Sequence, residues 1–192
     1  MLKIKVILGS TRQQRFGEQP AKWITEKAKA KGLDVELLDL RDYPLPFFEE
    51  SASPSSKKEP YANPVVVKWT AKIAEADAFI IVTPEYNHGT SGVLKNAIDY
   101  VGSEWNKKAV GFVAYGTVGG ARAVEHLRQV FPELQAATVR VAVTMVAPWM
   151  LPKNGELTDL SSFESLGDQM LDQLTWWGEA LKTARDRDAS AK

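Results

Sequence analysis

The chain of 192 residues contains no cysteine, which excludes disulfides, thiolate nucleophiles, iron–sulfur clusters and cysteine zinc sites together. Its only two histidines, His88 and His126, are too few for a histidine-rich cage, so no metal site is expected. It also lacks net charge: 24 basic residues balance 24 acidic ones, leaving no overall field to attract nucleic acid or an anionic membrane. No apolar run approaches the roughly 18 residues of a membrane span. The opening MLKIKVILGS lacks the apolar core and cleavage site of a secretory signal, and a cytoplasmic location is expected. Neither the dinucleotide fingerprint G-x-G-x-x-G nor the nucleotide loop G-x-x-x-x-G-K-[ST] occurs. GTSGV, residues 89–93, misses the hydrolase elbow G-x-S-x-G because Gly92 falls one place early.

What is present is an ordinary globular composition, 44% hydrophobic and 25% charged. Residues 1–185 are expected to form one domain, with a disordered tail at 186–192. Five short stretches rich in β-branched residues read as strands: 3–8, 34–40, 78–83, 109–115 and 139–146. The third and fifth are nearly continuous in apolar residues, as strands covered on both faces are. Helical patterns separate them. The last, from about Ser162, repeats Leu166, Met170, Leu174, Trp177 and Leu181 along one face, with Ser161 and Glu164 spaced as a capping box. The alternation predicts an α/β fold, a doubly wound parallel sheet with helices on both faces. Residues 43–64, with five prolines and four serines, break the alternation as a long loop of the kind usually tied to function or disorder. The six tryptophans are read as core or subunit contacts.

Ligands of such sheets sit at the carboxyl ends of the strands, and three loops on that edge are unusual. The first is GSTRQQRFGEQP, residues 9–20. Ser10 and Thr11 offer hydroxyls and amides there, Arg12 and Arg15 offer forks that match a phosphate, and Gly17 admits an anion to the following helix N-terminus. A solvated turn with two surface arginines has the same appearance. The second, TPEYNHGTSG, residues 83–92, sets an aromatic ring and an amide side by side, suited to a planar heterocycle with a polar edge. It reads equally well as a rigid turn. The third, AYGTVGGARAV, residues 114–124, carries Gly116, Gly119 and Gly120, which suit either a ligand face or close helix packing. The coincidence of all three on one edge favours a site.

These three motifs, in this order and spacing, resemble those of the NAD(P)H-dependent FMN reductases of the flavodoxin-like superfamily, relatives of quinone, azo-dye and chromate reductases. The likeness spans nearly all of residues 1–182, and PEYNHGTSGVLKNAIDY is its most specific part. The resemblance implies a five-stranded, three-layer flavodoxin-like sheet of order 2-1-3-4-5 that holds FMN. It implies Ser10 and Arg12 on the FMN phosphate, with Arg15, Gly17 and Gln19 in the same loop. Pro84, Glu85, Tyr86 and Asn87 would border the isoalloxazine ring, and the loop from Tyr115 to Gly120, with Tyr115, Gly116 and Gly119 as its contacts, would close its other side. Ala114, where many members have serine, departs from the pattern.

The activity so implied is hydride transfer from NADPH or NADH to flavin N5, then to a quinone, azo compound, metal oxyanion or free flavin in a ping-pong cycle. No catalytic acid or base is assigned. Tyr86 and His88 are expected to touch the substrate, and a homodimer or homotetramer is expected, with residues 94–101 and 43–64 near the neighbouring subunit. The alternative is a flavodoxin-type electron carrier without NAD(P)H activity of its own, which the zero net charge disfavours.

Overall fold

The structure, a computed structural model, describes residues 1–57, 59–154 and 157–191. Five parallel strands form the central sheet: β1 (Lys3–Leu8), β2 (Asp34–Asp39), β3 (Ala78–Pro84), β4 (Ala109–Gly116) and β5 (Ala137–Val146). Their order is β2-β1-β3-β4-β5, the flavodoxin-like order expected from the sequence. Every residue of β3 and β4 is buried because side chains alternate between two covered faces. Phe79 and Ile81 join Trp69, Trp105 and Phe131 beneath α2 (Pro64–Ala74), α3 (Gly92–Asp99) and α4 (Ala121–Glu133). Ile80 and Val82 join Ile24, Met170 and Leu174 beneath α1 (Glu18–Ala30) and α5 (Glu164–Ser190). A short hairpin, β6 (Lys153–Asn154) with β7 (Leu157–Thr158), follows β5. Strand β5 starts two residues before its expected position, and its register against β4 shifts between Val110 and Phe112.

Helix α5 departs from its expected form in three respects. Its buried face carries Gly167, Met170, Leu171, Leu174 and Gly178, while Trp177 is exposed. A Cβ at Gly167 would lie 2.8 Å from the Trp23 ring, and one at Gly178 would lie 2.8 Å from Leu2. Small residues thus let the helix close on α1 and the sheet, which a search for large apolar residues misses. The capping box does not form: Glu164 binds Lys27 and accepts from Trp23 Nε1 at 2.6 Å, while the Ser161 amide donates to Asp159. The expected disordered tail is helical through Ser190, held by ion pairs from Lys182 to Asp186 (3.1 Å) and Lys107 to Asp188 (2.8 Å).

The long loop is pinned to α3 and the turn after it. Asn96 donates to the Pro46 carbonyl and accepts from the Phe48 amide, Tyr100 donates to the Phe47 carbonyl, and the Phe48 and Tyr61 rings meet Tyr100 edge-on. Among the described residues no helix is long and apolar enough to cross a membrane.

Opposite the site edge, Lys108 is buried and its ammonium caps α2 by donating to the carbonyls of Ile73 (2.9 Å) and Ala74 (3.0 Å). Burial, helped by nearby Arg185, pulls it from 10.5 down to about 8. Above about pH 8 the folded chain sheds this proton while the unfolded chain keeps it. The unfolded state then binds more protons, so stability rises with pH. Urea midpoints are therefore expected to climb between pH 8 and about 9.5, below the range where unfolded tyrosines ionise. Lys108→Met should flatten that climb; an unaltered slope in the variant would show that another group drives it.

Candidate functional site

The loop after β1 owes its shape to two guanidinium groups that play unlike parts. Arg15, its side chain 2% exposed, holds Asp39 with both terminal nitrogens, pairs with Glu18 through Nε and donates to the Ser10 carbonyl. Burial alone would raise the Asp39 carboxyl, but the hydrogen bonds and charge of Arg15, with the Arg41 amide, hold it below the usual carboxylate range. Arg41 reaches over from the end of β2 and donates to the carbonyls of Thr11 (3.4 Å) and Arg12 (2.6 Å). Three successive carbonyls, Ser10 to Arg12, are thus tied down on the β2 side. Among the described residues the amides of Thr11, Gln13 and Gln14 meet no internal acceptor within hydrogen-bond distance, and neither does the Arg12 side chain. Gly17 begins α1 with no side-chain cap, although the Gln19 amide donates to the Phe16 carbonyl at 3.1 Å, so the positive end of that helix is only partly satisfied.

Beneath this loop lies the Tyr115 hydroxyl. Tyr115 is 6% exposed, its ring meets Phe16 edge-on at 5.3 Å, and a Cβ at Gly17 would fall 2.5 Å from its oxygen. Ser10 and the Gly17 amide lie near the oxygen, yet among the described residues it is the only buried side-chain polar atom with no hydrogen-bond partner. Burial, reinforced by Tyr86, pushes this phenol above its usual value, so it remains a proton donor.

The loop after β3 is a tight hairpin. Tyr86 and Gly89 exchange both main-chain hydrogen bonds, at 2.9 and 3.0 Å, and Asn87 and His88 between them have φ of 49° and 70°. Two left-handed central residues define a type I′ turn. Asn87 and His88 therefore stand exposed at its tip, away from the cleft below. Tyr86 turns inward, its hydroxyl 2.9 Å from buried Ser10 Oγ, which links the first two loops. Glu85 links the second to the third. Its carboxylate, 7% exposed, accepts from the Arg122 amide at the start of α4 (3.1 Å) and from the Arg122 guanidinium (2.8 Å). In the third loop Gly120, at φ 78°, begins α4, and a Cβ there would lie 2.6 Å from Ala114 Cβ and 2.8 Å from the Tyr115 amide. Gly119 faces Thr144 in the same way. These two glycines serve helix-on-sheet packing.

The three loops enclose a cleft of about 180 Å³ lined by Arg12, Arg15, Phe16, Pro84, Glu85, Tyr86, Tyr115, Gly116, Thr117 and Trp149. Of the expected site residues, Arg12, Pro84, Glu85, Tyr86, Tyr115 and Gly116 meet there, and Ser10 and Gly17 border it through Tyr86 and Tyr115. Arg15 also lines the cleft, with its guanidinium paired to Asp39 and Glu18. Three are placed otherwise. Gln19 accepts from the Thr158 amide at 2.8 Å and holds the β6–β7 hairpin on α1. Asn87 occupies the turn tip, and Gly119 packs on β5. His88, expected on the substrate, shares the tip with Asn87. Thr117 lies in the loop expected to close the ring's other side, whereas Phe16 and Trp149 are not expected from the sequence. Trp149 follows the fifth strand, whose exit on the same sheet edge carries no glycine or arginine signal.

Among the described residues no cluster of three or more His, Asp or Glu is arranged to hold a metal. The chemistry on offer is that of an anion cradle, built from free amides, a free guanidinium, a helix N-terminus and an orphaned hydroxyl, beside an aromatic-walled slot.

The chain is also similar to known proteins over most of its length. Residues 2–149 match the sequence profile of the NADPH-dependent FMN reductases. An NAD(P)H-dependent FMN reductase of Schizosaccharomyces pombe is 40% identical over 146 residues, covering 76% of this chain and 72% of its own. A quinone reductase of Escherichia coli K12 is 29% identical over 194 aligned positions, covering 96% of this chain and 97% of its own. The structure of FerB, a flavoenzyme NAD(P)H:acceptor oxidoreductase of Paracoccus denitrificans, superposes with a TM-score of 0.72 at 21% identity, covering 94% of this chain and 98% of that one.

Proposed function

The chain belongs to the NADPH-dependent FMN reductase family, and from this premise we propose that it reduces quinones and related aromatic acceptors with NAD(P)H through FMN held in the cleft. The observation that carries the reading is the pairing of an uncapped α1 N-terminus with the orphaned Tyr115 hydroxyl. An anion placed there answers both. FMN fits the donor set: its phosphate would meet Arg12, the loop amides and Tyr115, and its ring would meet the slot lined by Pro84, Tyr86, Gly116 and Thr117.

FMN, when bound there, would supply two-electron chemistry between NAD(P)H and the acceptor. For a quinone the sum is NAD(P)H, a proton and quinone giving NAD(P)⁺ and hydroquinone. The chain's own residues act by placement. Arg15 and Arg41 fix the loop carbonyls so that its amides remain available, and Ser10 joins Tyr86 to that loop. Glu85 anchors the slot's two walls to each other through Arg122. No side chain here is arranged as an obligate acid or base, and solvent supplies the protons of the hydroquinone.

The absorption spectrum of the purified protein, before and after incubation with FMN, tests the reading. Flavin bands that bleach on mixing with NADPH and return on adding a quinone are expected. A colourless protein that takes up no FMN would refute it, and bands that bleach only when a separate reductase is added would mark an electron carrier. Arg12→Ala removes a charge-assisted contact worth about 1.5–3 kcal/mol, so FMN affinity should fall about 10- to 100-fold in a fluorescence titration. The fold should be untouched, because no internal partner of Arg12's side chain is lost.

A further inference from the structure

We propose that Trp149 is the surface on which flat aromatic electron acceptors seat, and that it selects them over acceptors with no aromatic face; the assignment rests on the flavin reading above. Trp149 lies at the exit of β5, which with that of β2 is one of the two strand ends on the site edge that the three loop motifs do not cover. Val146, the last residue of β5, is registered against Gly116 of β4, so the chain leaves β5 directly beside the cleft. Ala147 then takes φ 39° and ψ 52°, a left-handed conformation that residues with a Cβ rarely adopt. It is held there by its amide's bond to the Gly116 carbonyl (2.8 Å), by the Met150 amide on its own carbonyl (2.9 Å), and by buried Pro148 after it. A strained, doubly bonded turn therefore fixes a tryptophan on the rim.

That tryptophan has no use inside the chain. Trp69 and Trp105 are fully buried, and their indole N–H groups donate to the carbonyls of Ala97 (2.8 Å) and Ile98 (3.3 Å). Trp149 is 54% exposed. Among the described residues its indole N–H meets no acceptor and its ring pairs with no other aromatic ring. It lines the cleft beside Thr117, and its turn and the adjoining loop also expose Val118, Val146 and Met150.

Volume decides what such a ring can meet. The cleft encloses about 180 Å³, below the roughly 300–1,000 Å³ of pockets that engulf a whole small ligand. With FMN in the slot no enclosed space remains for a second ring system. The acceptor must lie across the mouth, where Trp149 and the exposed aliphatic side chains give it an apolar bed. Loss of one stacked aromatic partner commonly weakens such contacts about 5- to 150-fold.

The test compares wild type, Trp149→Ala and Trp149→Phe, each loaded with FMN, reduced chemically and mixed with acceptor in a stopped-flow instrument. Menadione takes two electrons and two protons from each reduced flavin. Ferricyanide, which has no aromatic face, takes one electron per ion, so two ions reoxidise each flavin. The second-order rate constant for menadione is expected to fall about tenfold or more in Trp149→Ala and to return to within about threefold of wild type in Trp149→Phe. The constant for ferricyanide should shift less than about threefold in both, because nothing of that ion stacks. Equal losses for the two acceptors, or menadione reoxidation at the wild-type rate in the alanine variant, would overturn the assignment while leaving the flavin reading standing. So would a change in sedimentation of Trp149→Ala, which would make the ring a subunit contact. A chain that takes up no FMN sinks both.

Discussion

Arg15→Met is expected to cost the flavin-free protein about 3 kcal/mol of unfolding free energy and to abolish tight FMN retention as well. The first effect is electrostatic. Arg15 is buried and gives two nitrogens to Asp39, and removing one partner of such a pair strands the other, at about 3–5 kcal/mol when burial is complete. Asp39 keeps 25% of its side-chain exposure, which places the cost at the lower end. The second effect is geometric: without the donor on the Ser10 carbonyl, the loop loses one of the groups that keep its amides available for an anion. The double variant Arg15→Met/Asp39→Leu separates the two. It removes both charges, so urea denaturation should show most of the stability restored, whereas an FMN titration should show binding still weak. Arg15→Lys should rescue neither, because a single ammonium cannot reproduce the bidentate fork. Wild-type flavin affinity in the double variant would mean that Arg15 has no part in shaping the loop.

This division between Arg12 and Arg15 could not be read from the sequence. Both stand in one loop three residues apart, and both look like phosphate ligands by residue type. What separates them is Asp39, 24 residues beyond Arg15 and brought beside it only when β2 pairs with β1 at Leu8↔Asp39. The sheet itself was legible because its evidence is local: apolar runs such as Ala78–Pro84 and the alternation of elements require no knowledge of distant partners. Loop motifs marked the edge that carries the candidate site for the same reason. They did not give the use of each residue. Gly119 and Gly120 look the same in sequence whether they face a ligand or β5, and only the 2.6 Å approach to Ala114 shows that Gly120 faces the protein. Asn87 and His88 look chemical, yet their positive φ values assign them to a turn tip. Trp149 illustrates the converse: a tryptophan after a strand resembles any core residue until the turn at Ala147 holds it in the open.

Tyr115→Phe should act with opposite signs on the free and the flavin-bound protein, and the swing between the two exceeds either change alone. In the flavin-free chain the hydroxyl is buried and unpartnered, a defect worth about 1–3 kcal/mol. Phenylalanine keeps the ring, its edge contact with Phe16 and the same packing volume, so nothing offsets the gain and the variant should melt higher than wild type. When an anion occupies the α1 N-terminus, the wild-type hydroxyl becomes a donor to charge, a contact worth about 1.5–3 kcal/mol, and the variant forfeits it. FMN should then bind about 10- to 100-fold more weakly and raise the melting temperature of the variant far less than that of wild type. Riboflavin, which lacks the phosphate, provides the control: its affinity should be the same for both proteins, because no anion reaches the hydroxyl. Equal loss for FMN and riboflavin would place Tyr115 on the ring instead, and a less stable flavin-free variant would show that solvent already satisfies the hydroxyl. The defect belongs to the flavin-free fold, where the buried hydroxyl has no internal partner: it is a donor kept ready at the cost of stability, and a ligand that carries negative charge to that spot recovers the cost on binding.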